Sequence, residues 1–215
     1  MKNGYSDITV VLDRSGSMAC LVDEVIGAFN TFVDEQQQVA GQASFSLVQF
    51  DDRYEVYLDA VDLAKVGRLD RTTYVPRGMT ALYDAVGRAI VATGTRLAAL
   101  DEADRPDKVV FLIQTDGMEN ASREYDAATL QAMIRHQQDK YAWEFVFLGA
   151  NIDAGSVAEE IGIARDKALQ YANNADGTRA AFAAVSDNLA GFRRGDRQHM
   201  AYAEEDREAQ RKAGA

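Results

Sequence analysis

Three short segments of the chain are apolar almost without interruption: residues 8–12, 109–113 and 145–148. A strand has this composition when both of its faces are buried, which happens in parallel sheets that helices cover on both sides. Strands of half-exposed antiparallel sheets alternate apolar and polar residues instead. The three segments therefore predict the centre of a parallel sheet between two layers of helices.

A hairpin and a final strand extend this sheet. Residues 45–50 form a fourth apolar segment, Asp51 and Asp52 have the character of turn residues, and apolar and polar residues alternate over 54–58. So short a link between two strands implies an antiparallel pair at the edge of an otherwise parallel sheet. A last strand is expected at Ala168–Tyr171, which brings the total to about six.

Helical periodicity fills the intervals between the strands. Apolar residues recur at three- and four-residue steps over 82–97 and 25–33, and more weakly over 130–137. This alternation predicts a doubly wound α/β fold: a mostly parallel sheet of about six strands, one antiparallel edge strand, and helices on both faces. Residues 1–195 are expected to form the domain, and 196–215 a charged tail that is helical or disordered.

Charge and composition exclude several classes of partner. The net charge is −11, which disfavours a nucleic-acid partner because such binding depends on cationic side chains that neutralise phosphates. An anionic membrane surface would repel the chain for the same reason. No apolar run is seen to approach the ~20 residues that span a bilayer, so no membrane association is expected.

The cellular compartment is expected to be the cytoplasm. Cys20 is the only cysteine, so no internal disulfide can form, as is common in reducing compartments. The first residues contain no apolar segment followed by a small-residue cleavage site. Cys20 itself is expected to be a small buried side chain at the start of a helix.

Oxygen-bearing side chains follow two of the predicted strands and precede one helix. Asp13, Ser15 and Ser17 come at two-residue spacing after the first strand, Asp116 follows the fourth, and Thr80 lies just before the helix over 82–97. In an open α/β sheet, ligands bind beyond the carboxyl ends of the strands, where the strand order changes direction. If the first and fourth strands are neighbours there, all five side chains converge.

At these residues the sequence resembles the von Willebrand factor A domains. Asp13-x-Ser15-x-Ser17, Thr80 within Gly-x-Thr-x-Leu, and Asp116 followed by glycine match the metal ion-dependent adhesion site of that family. The resemblance extends over about residues 7–171. It implies a stand-alone bacterial or phage-type member in which these five residues hold a divalent cation.

The donor set indicates which cation to expect. With two histidines and one cysteine, a zinc site of nitrogen and sulfur ligands cannot be assembled, so a metal here is expected to be a hard cation bound by oxygens. Mg²⁺ suits hydroxyl and carboxylate oxygens; Mn²⁺ would fit the same set, and Ca²⁺ less well because it prefers more ligands. Adhesive members of the family bind a partner's carboxylate through the cation. The expected function is therefore Mg²⁺-dependent binding of a protein that presents an Asp or Glu, without catalysis.

Further residues on the same three loops are candidates for contacting the partner, since methionine and arginine are enriched at protein-binding surfaces. They are Arg14, Met18, Arg77, Met79, Met118 and Glu119. The methionines could instead fill gaps beneath the loops, and Glu119 could be a solvated loop carboxylate.

Three other functions stay open at this point. A metal-dependent hydrolase is disfavoured because no histidine, Asp-x-Asp pair or glycine-rich phosphate loop lies near the site. A subunit of a larger assembly, such as the partner of an AAA-type ATPase or part of a phage-related complex, rests on family analogy alone. The third is a domain that keeps the fold and binds no metal, its polar residues serving only as caps and turns.

Overall fold

A six-stranded mixed sheet runs through the protein, in a computed structural model that describes residues 1–215. Its strands are β1 (Lys2–Asp13), β2 (Gln42–Phe50), β3 (Tyr54–Asp62), β4 (Pro106–Thr115), β5 (Glu144–Ala150) and β6 (Ala168–Tyr171). The spatial order is β3-β2-β1-β4-β5-β6. Only β2 and β3 pair antiparallel, at one edge, which confirms the predicted sheet.

Helices cover both faces of this sheet. They are α1 (Val22–Gln37), α2 (Leu82–Ala98), α3 (Ala127–Tyr141), α4 (Ala154–Glu160), α5 (Ala175–Arg194) and α6 (Glu204–Ala213), with a 3₁₀ helix at Gly16–Leu21 before α1. One core cluster lies between the sheet and α1 and α5. A second lies between the sheet and α2, α3 and α4. The chain therefore has the doubly wound α/β architecture that its sequence predicts.

The uninterrupted apolar strands are explained by these two cores. On β1, Val10 and Leu12 belong to the α1/α5 cluster, whereas Val11 between them belongs to the opposite one. The same division holds on β4 for Leu112 and Ile113. Because successive side chains of a strand point to opposite faces, apolar residues are favoured at consecutive positions of a strand that is buried on both sides.

Residues 196–215 fold back onto the domain. Met200 and Tyr202 are buried in the α1/α5 core cluster, although the surrounding sequence is charged. On α6, the Gln210 side chain accepts a hydrogen bond from the backbone N–H of Ala172 and donates one to the backbone carbonyl of Gly177. The segment expected to be a helical or disordered tail is thus helical over Glu204–Ala213 and contributes buried side chains to the domain.

The segment Gly16–Gln37 is long and apolar enough to cross a membrane by length and composition, which the sequence analysis did not recognise. In the fold, Val25, Phe29 and Phe32 of this segment are buried in the α1/α5 cluster. Core helices of globular domains often meet the same criteria, so the segment is weak evidence for a membrane span.

Candidate metal centre

The candidate metal ligands meet where the winding direction of the sheet reverses. β1 pairs with β2 on one side and with β4 on the other, both in parallel. Leu12 near the end of β1 lies opposite Gln114 near the end of β4. The loops that begin at Asp13 and Asp116 are therefore neighbours, at the position where open α/β sheets bind ligands.

Hydrogen bonds join four of the five predicted ligands or their loops directly. The Ser17 hydroxyl donates to Asp116 Oδ1 at 2.6 Å and lies 3.0 Å from the Ser15 hydroxyl. Asp13 Oδ1 accepts the backbone N–H of Ser15 at 2.6 Å, and its Oδ2 accepts the Thr115 hydroxyl at 2.5 Å. These contacts connect the end of β1 to the end of β4 through side-chain oxygens.

Thr80 reaches the same place from the loop that precedes α2. Its backbone N–H donates to the Asn120 side chain at 2.9 Å, and its carbonyl accepts the Asn120 N–H at 3.0 Å. A Cβ atom placed on Gly117 would lie 3.7 Å from the Thr80 hydroxyl and 3.6 Å from the Ser17 hydroxyl, so both hydroxyls face this glycine. The structure thus places the five predicted ligands side by side.

Both carboxylates of the site are buried without a cationic partner. Asp13 is fully buried and Asp116 is 2% exposed. Burial raises the pKa of Asp13 to about 6 and also raises the pKa of Asp116, and no lysine or arginine contributes to either shift. Asp116 Oδ2 is buried and accepts no hydrogen bond.

The rest of the chain treats its buried carboxylates differently. The buried carboxylates are Asp7, Asp13, Asp51, Asp84, Asp116 and Glu144. Arginine or lysine side chains pair with Asp7, Asp51 and Glu144. Three backbone N–H groups donate to Asp84. Asp13 and Asp116 have no cationic partner and fewer donors: Asp13 accepts one backbone N–H and one hydroxyl, and Asp116 accepts the Ser17 hydroxyl while its Oδ2 accepts nothing. Burying such charge is costly unless it is paired or coordinates a metal.

The donor chemistry fits a small hard cation. No group of three or more His, Cys, Asp or Glu side chains lies together in the chain, so the donors at this site beyond its two carboxylates are hydroxyls. Two carboxylates balance the charge of a dication, and neutral hydroxyl oxygens suit Mg²⁺ or Mn²⁺. The orphaned Asp116 Oδ2 supplies an oxygen that no protein group uses.

No protein-family model and no curated protein matches this sequence, but solved structures match its fold. Proximal thread matrix protein 1 from the mussel byssus, solved with a zinc-occupied metal ion-dependent adhesion site, has a TM-score of 0.61 at 18% identity, over 87% of this chain and 46% of its own. The von Willebrand factor type A protein from Catenulispora acidiphila has a TM-score of 0.55 at 15% identity, over 88% and 43%. The von Willebrand factor domain of the type V pili tip protein Mfa5 from Porphyromonas gingivalis has 0.61 at 12%, over 93% and 98%. The chain has the von Willebrand factor A fold.

At these identities the likeness shows the fold alone. The chain spans about half the length of the mussel protein, 46%, and a similar share, 43%, of the Catenulispora protein. It corresponds to nearly the whole of the Mfa5 domain. Two of these structures are von Willebrand factor proteins by name and the third has a metal ion-dependent adhesion site, which agrees with the resemblance seen in the sequence.

Two residues proposed to contact a partner are buried in this von Willebrand factor A fold, which corrects that prediction. Met18 is fully buried in the α1/α5 core cluster. Arg14 is 6% exposed because its guanidinium is paired with Asp51 beneath the loops. Asp51 is correspondingly a buried ion-pair partner as well as a turn residue, and neither Met18 nor Arg14 offers a surface to another protein.

Glu119 also has a different role from the one proposed. Its Oε1 accepts the backbone N–H groups of Ala121 and Ser122, and its Oε2 accepts the Ser122 hydroxyl and the backbone N–H of Tyr83 at the start of α2. With four hydrogen bonds to its own loop and helix, this carboxylate is neither a solvated group nor free to bind a partner.

The remaining rim candidates are exposed beside the site. Met79 is 52% and Met118 is 70% exposed, on the loops that carry Thr80 and Asp116. The Arg77 side chain is 42% exposed, although its guanidinium is held by Asp51. Cys20, predicted to be buried, is exposed, with its thiol 3.5 Å from the backbone carbonyl of Ser17.

Three supporting residues were missed in the sequence. Thr115 donates to Asp13, and the buried Tyr74 hydroxyl donates to the Asp13 carbonyl at 2.6 Å. Gln114 donates to the Tyr171 hydroxyl at 2.5 Å behind the site. Polar Gln114 and Thr115 at the end of an apolar strand were a usable signal; Tyr74, in a loop between β3 and α2, gave none.

Proposed function

We propose that this protein is a divalent-cation-dependent binding module, in which a Mg²⁺ ion links the site to an Asp or Glu of a partner protein. The ion would be held by Asp13, Ser15, Ser17, Thr80 and Asp116. The observation that carries this proposal is that Asp13 and Asp116, alone among the buried carboxylates, have neither a cationic partner nor the three backbone donors that Asp84 has, and that burial raises the pKa of both.

Each residue has a distinct part in the proposed site. Asp13 and Asp116 supply the negative charge, and the serine and threonine hydroxyls supply neutral oxygens that leave the ion electrophilic. Thr115 and Tyr74 hold Asp13 in place from behind through its side chain and its carbonyl. When bound, the cation would offer a position at which a partner's carboxylate replaces a water molecule.

The structural neighbours support a metal and a protein partner. The metal ion-dependent adhesion site of the mussel protein is occupied by zinc, which makes zinc a candidate beside Mg²⁺ and Mn²⁺ for the proposed site. Other neighbours are a pilus adhesin, SpaC from Lactobacillus rhamnosus GG, and a pilus tip protein. We therefore include Zn²⁺ beside Mg²⁺ and Mn²⁺ in the test below.

The surface around the site suits protein contact. Met79 and Met118 project from two of the three loops, and flexible thioethers adapt to different partner surfaces. An acidic side chain of the partner would enter between them to reach the cation. We propose no catalysis, because the site contains no histidine or other positioned base; phosphatase and nuclease assays with Mg²⁺ are expected to show no activity.

Calorimetric titration tests the metal directly. Mg²⁺, Mn²⁺ and Zn²⁺ are titrated into the wild-type protein, Asp116→Asn and the control Asp139→Asn, in which an exposed aspartate on α3 undergoes the same chemical change. We expect the wild type and the control to bind with one ion per chain and Asp116→Asn to lose binding. Absence of binding to the wild type, or equal binding to Asp116→Asn, would contradict the proposal.

A pulldown tests the partner. Wild-type protein is used as bait in host lysate with Mg²⁺, with EDTA, and with Asp116→Asn as a second bait. A partner that the carboxylate–cation contact recruits should be captured only in the first condition. A set of captured proteins that is the same in all three would argue against cation-dependent recognition.

A further inference from the structure

Four charged side chains form a closed cluster beside the candidate metal centre. We call it the arginine clamp: Arg14, Asp51, Glu55 and Arg77. Asp51 Oδ2 accepts Arg14 Nε at 3.1 Å and Arg77 Nε at 2.8 Å. Glu55 Oε1 lies 2.6 Å from Arg14 Nη2 and also pairs with Arg77 Nη2, and these two arginines, Arg14 foremost, lower the pKa of Glu55 to about 2.

The clamp joins segments that are far apart in the chain. Arg14 lies between two predicted ligands, Asp13 and Ser15, and Arg77 lies three residues before Thr80. Asp51 follows β2 and is fully buried, and Glu55 lies on β3. No clamp residue is itself a predicted ligand, yet its two arginines belong to the two loops that supply Thr80 and the serines.

Backbone hydrogen bonds join the same segments of the chain as the clamp does. The N–H of Arg77 donates to the carbonyl of Arg14 at 2.8 Å, and the N–H of Gly16 donates to the carbonyl of Gly78 at 3.1 Å. The N–H of Ala81, next to Thr80, donates to the carbonyl of Asp51 at 2.9 Å. The loop that carries Thr80 is thus tied both to the serine loop and to Asp51.

The loop from Arg77 to Ala81 has little room to move. Gly78 has φ +68, a conformation that other residues rarely adopt. A Cβ atom there would come within 2.0 Å of the Asp52 side chain. The chain from Arg77 to Ala81 is therefore packed directly against the β2–β3 turn, and the charge on Asp51 holds its two arginines at the centre of that contact.

We propose that Asp51, through Arg77 and Arg14, is a positioning residue that sets the Thr80 hydroxyl relative to Ser15 and Ser17 and thereby sets the affinity of the site for its cation. This inference rests on the proposed metal function. Thr80 is the one predicted ligand that comes from neither of the adjacent strands β1 and β4, so its location depends on the ties of its loop. Residues that orient metal ligands in this way typically contribute about 10–100-fold to metal affinity.

Two variants test the clamp. Asp51→Asn keeps the shape and removes the charge that two guanidiniums share. Arg77→Gln removes a half-exposed arginine and should fold even if Asp51→Asn does not. The matched control is Arg197→Gln, whose side chain is 40% exposed against 42% for Arg77 and is also paired with an aspartate, beyond the end of α5.

The readouts are Mn²⁺ affinity, from the electron paramagnetic resonance signal of the free ion, and metal-free thermal stability. We expect Asp51→Asn and Arg77→Gln to weaken Mn²⁺ binding about 10–100-fold, and Arg197→Gln to leave it unchanged. Equal affinity in wild type and both clamp variants would overturn the inference while leaving the proposed function intact. If the wild type binds no Mn²⁺ or Mg²⁺, both fail.

A double-mutant cycle separates positioning from general destabilisation. In a Thr80→Ala background, Arg77→Gln should weaken Mn²⁺ binding by no more than about 2-fold, because the ligand it positions is already absent. In a Ser17→Ala background its full effect should persist. A full effect in both backgrounds would show that the clamp does not act through Thr80, and the assignment would be rejected.

Discussion

Replacement of Asp13 by asparagine should stabilise the metal-free protein at neutral pH. Asp13 is fully buried, and burial raises its pKa from 3.8 to about 6. Between these values the folded protein holds a proton on Asp13 that the unfolded chain has lost, so the free energy of unfolding falls as pH rises. Above about pH 7 the whole cost of the buried charge is present.

The structure sets the size of this effect. At ~1.4 kcal/mol per pKa unit, a rise from 3.8 to about 6 corresponds to roughly 3 kcal/mol. Asparagine keeps one carbonyl oxygen for the Ser15 N–H and presents an amide to the Thr115 hydroxyl, which can accept it. Allowing for poorer geometry, about 1–3 kcal/mol of stabilisation should remain near pH 7, and almost none near pH 4, where Asp13 of the wild type is protonated.

Added Mg²⁺ should make the wild type more stable than Asp13→Asn. The wild type gains about 4.1 kcal/mol when Mg²⁺ is at about 1,000 times its dissociation constant, which exceeds the advantage of the variant, whereas the variant lacks one of the two balancing charges. Urea denaturation monitored by circular dichroism, in EDTA and in saturating Mg²⁺ at both pH values, measures each quantity. If Asp13→Asn is the less stable protein in EDTA near pH 7, by the same margin as near pH 4, then the carboxylate is not a destabilising charge and the reasoning is wrong.

Three further predictions concern the exposed methionines, Glu119 and the C-terminal segment. The double variant Met79→Ser/Met118→Ser should weaken partner capture at least several-fold, because both side chains are exposed beside the site. Its Mg²⁺ affinity in calorimetry should stay at the wild-type value, because neither residue is a ligand. Equal losses of partner capture and of Mg²⁺ affinity would place the two methionines in the metal site. Glu119→Ala should lower the free energy of unfolding by about 1–3 kcal/mol through its lost loop hydrogen bonds, with exposed Glu205→Ala as the control in urea denaturation. Deletion of residues 196–215 should cost about 3–6 kcal/mol, because two large apolar side chains leave the core; an unchanged melting temperature would show that the segment contributes nothing.

The strands and the placement of the candidate ligands at their carboxyl ends were predictable because they depend on local patterns. Apolar runs buried on both faces identify central strands, and a polar residue directly after such a run marks its carboxyl end. Asp13 and Asp116 satisfy this rule on β1 and β4. Their proximity depended on β1 and β4 being neighbours, which the sequence left as a condition and which the parallel pairing of these strands at the reversal of winding fulfils.

The errors at Met18 and Cys20 have a specific local cause. Met18 was predicted to be exposed on the serine loop and Cys20 to be buried at the start of a helix, whereas both residues lie in the 3₁₀ helix Gly16–Leu21. With three residues per turn, Met18 and Leu21 lie on the same buried side, and Cys20 lies outside.

Arg14 and Glu119 were misjudged because some of their partners are distant in sequence. Arg14 is covered by Asp51 and Arg77, and one oxygen of Glu119 accepts the N–H of Tyr83 on another element. Composition predicts an exposed residue in each case, since charged segments are normally solvated. Only the assembled tertiary structure shows which of these side chains acquire a buried partner.

The clamp and the metal centre together predict that loss of the metal ion changes the net charge of the site more than the positions of its loops. The serine and Thr80 loops are tied by the ion pairs of Asp51 and by backbone hydrogen bonds, and the Asp116 loop is tied to Thr80 through Asn120, so these ties do not use the side chain of Asp13 or Asp116. The empty site should therefore keep its geometry and bear only the repulsion of two desolvated carboxylates. Hydrogen exchange should then show that EDTA lowers the protection of core amides in step with the global free energy of unfolding, as a linked binding equilibrium requires. Selective loss of protection over residues 13–21 and 77–81 would instead mean that the metal itself organises these loops.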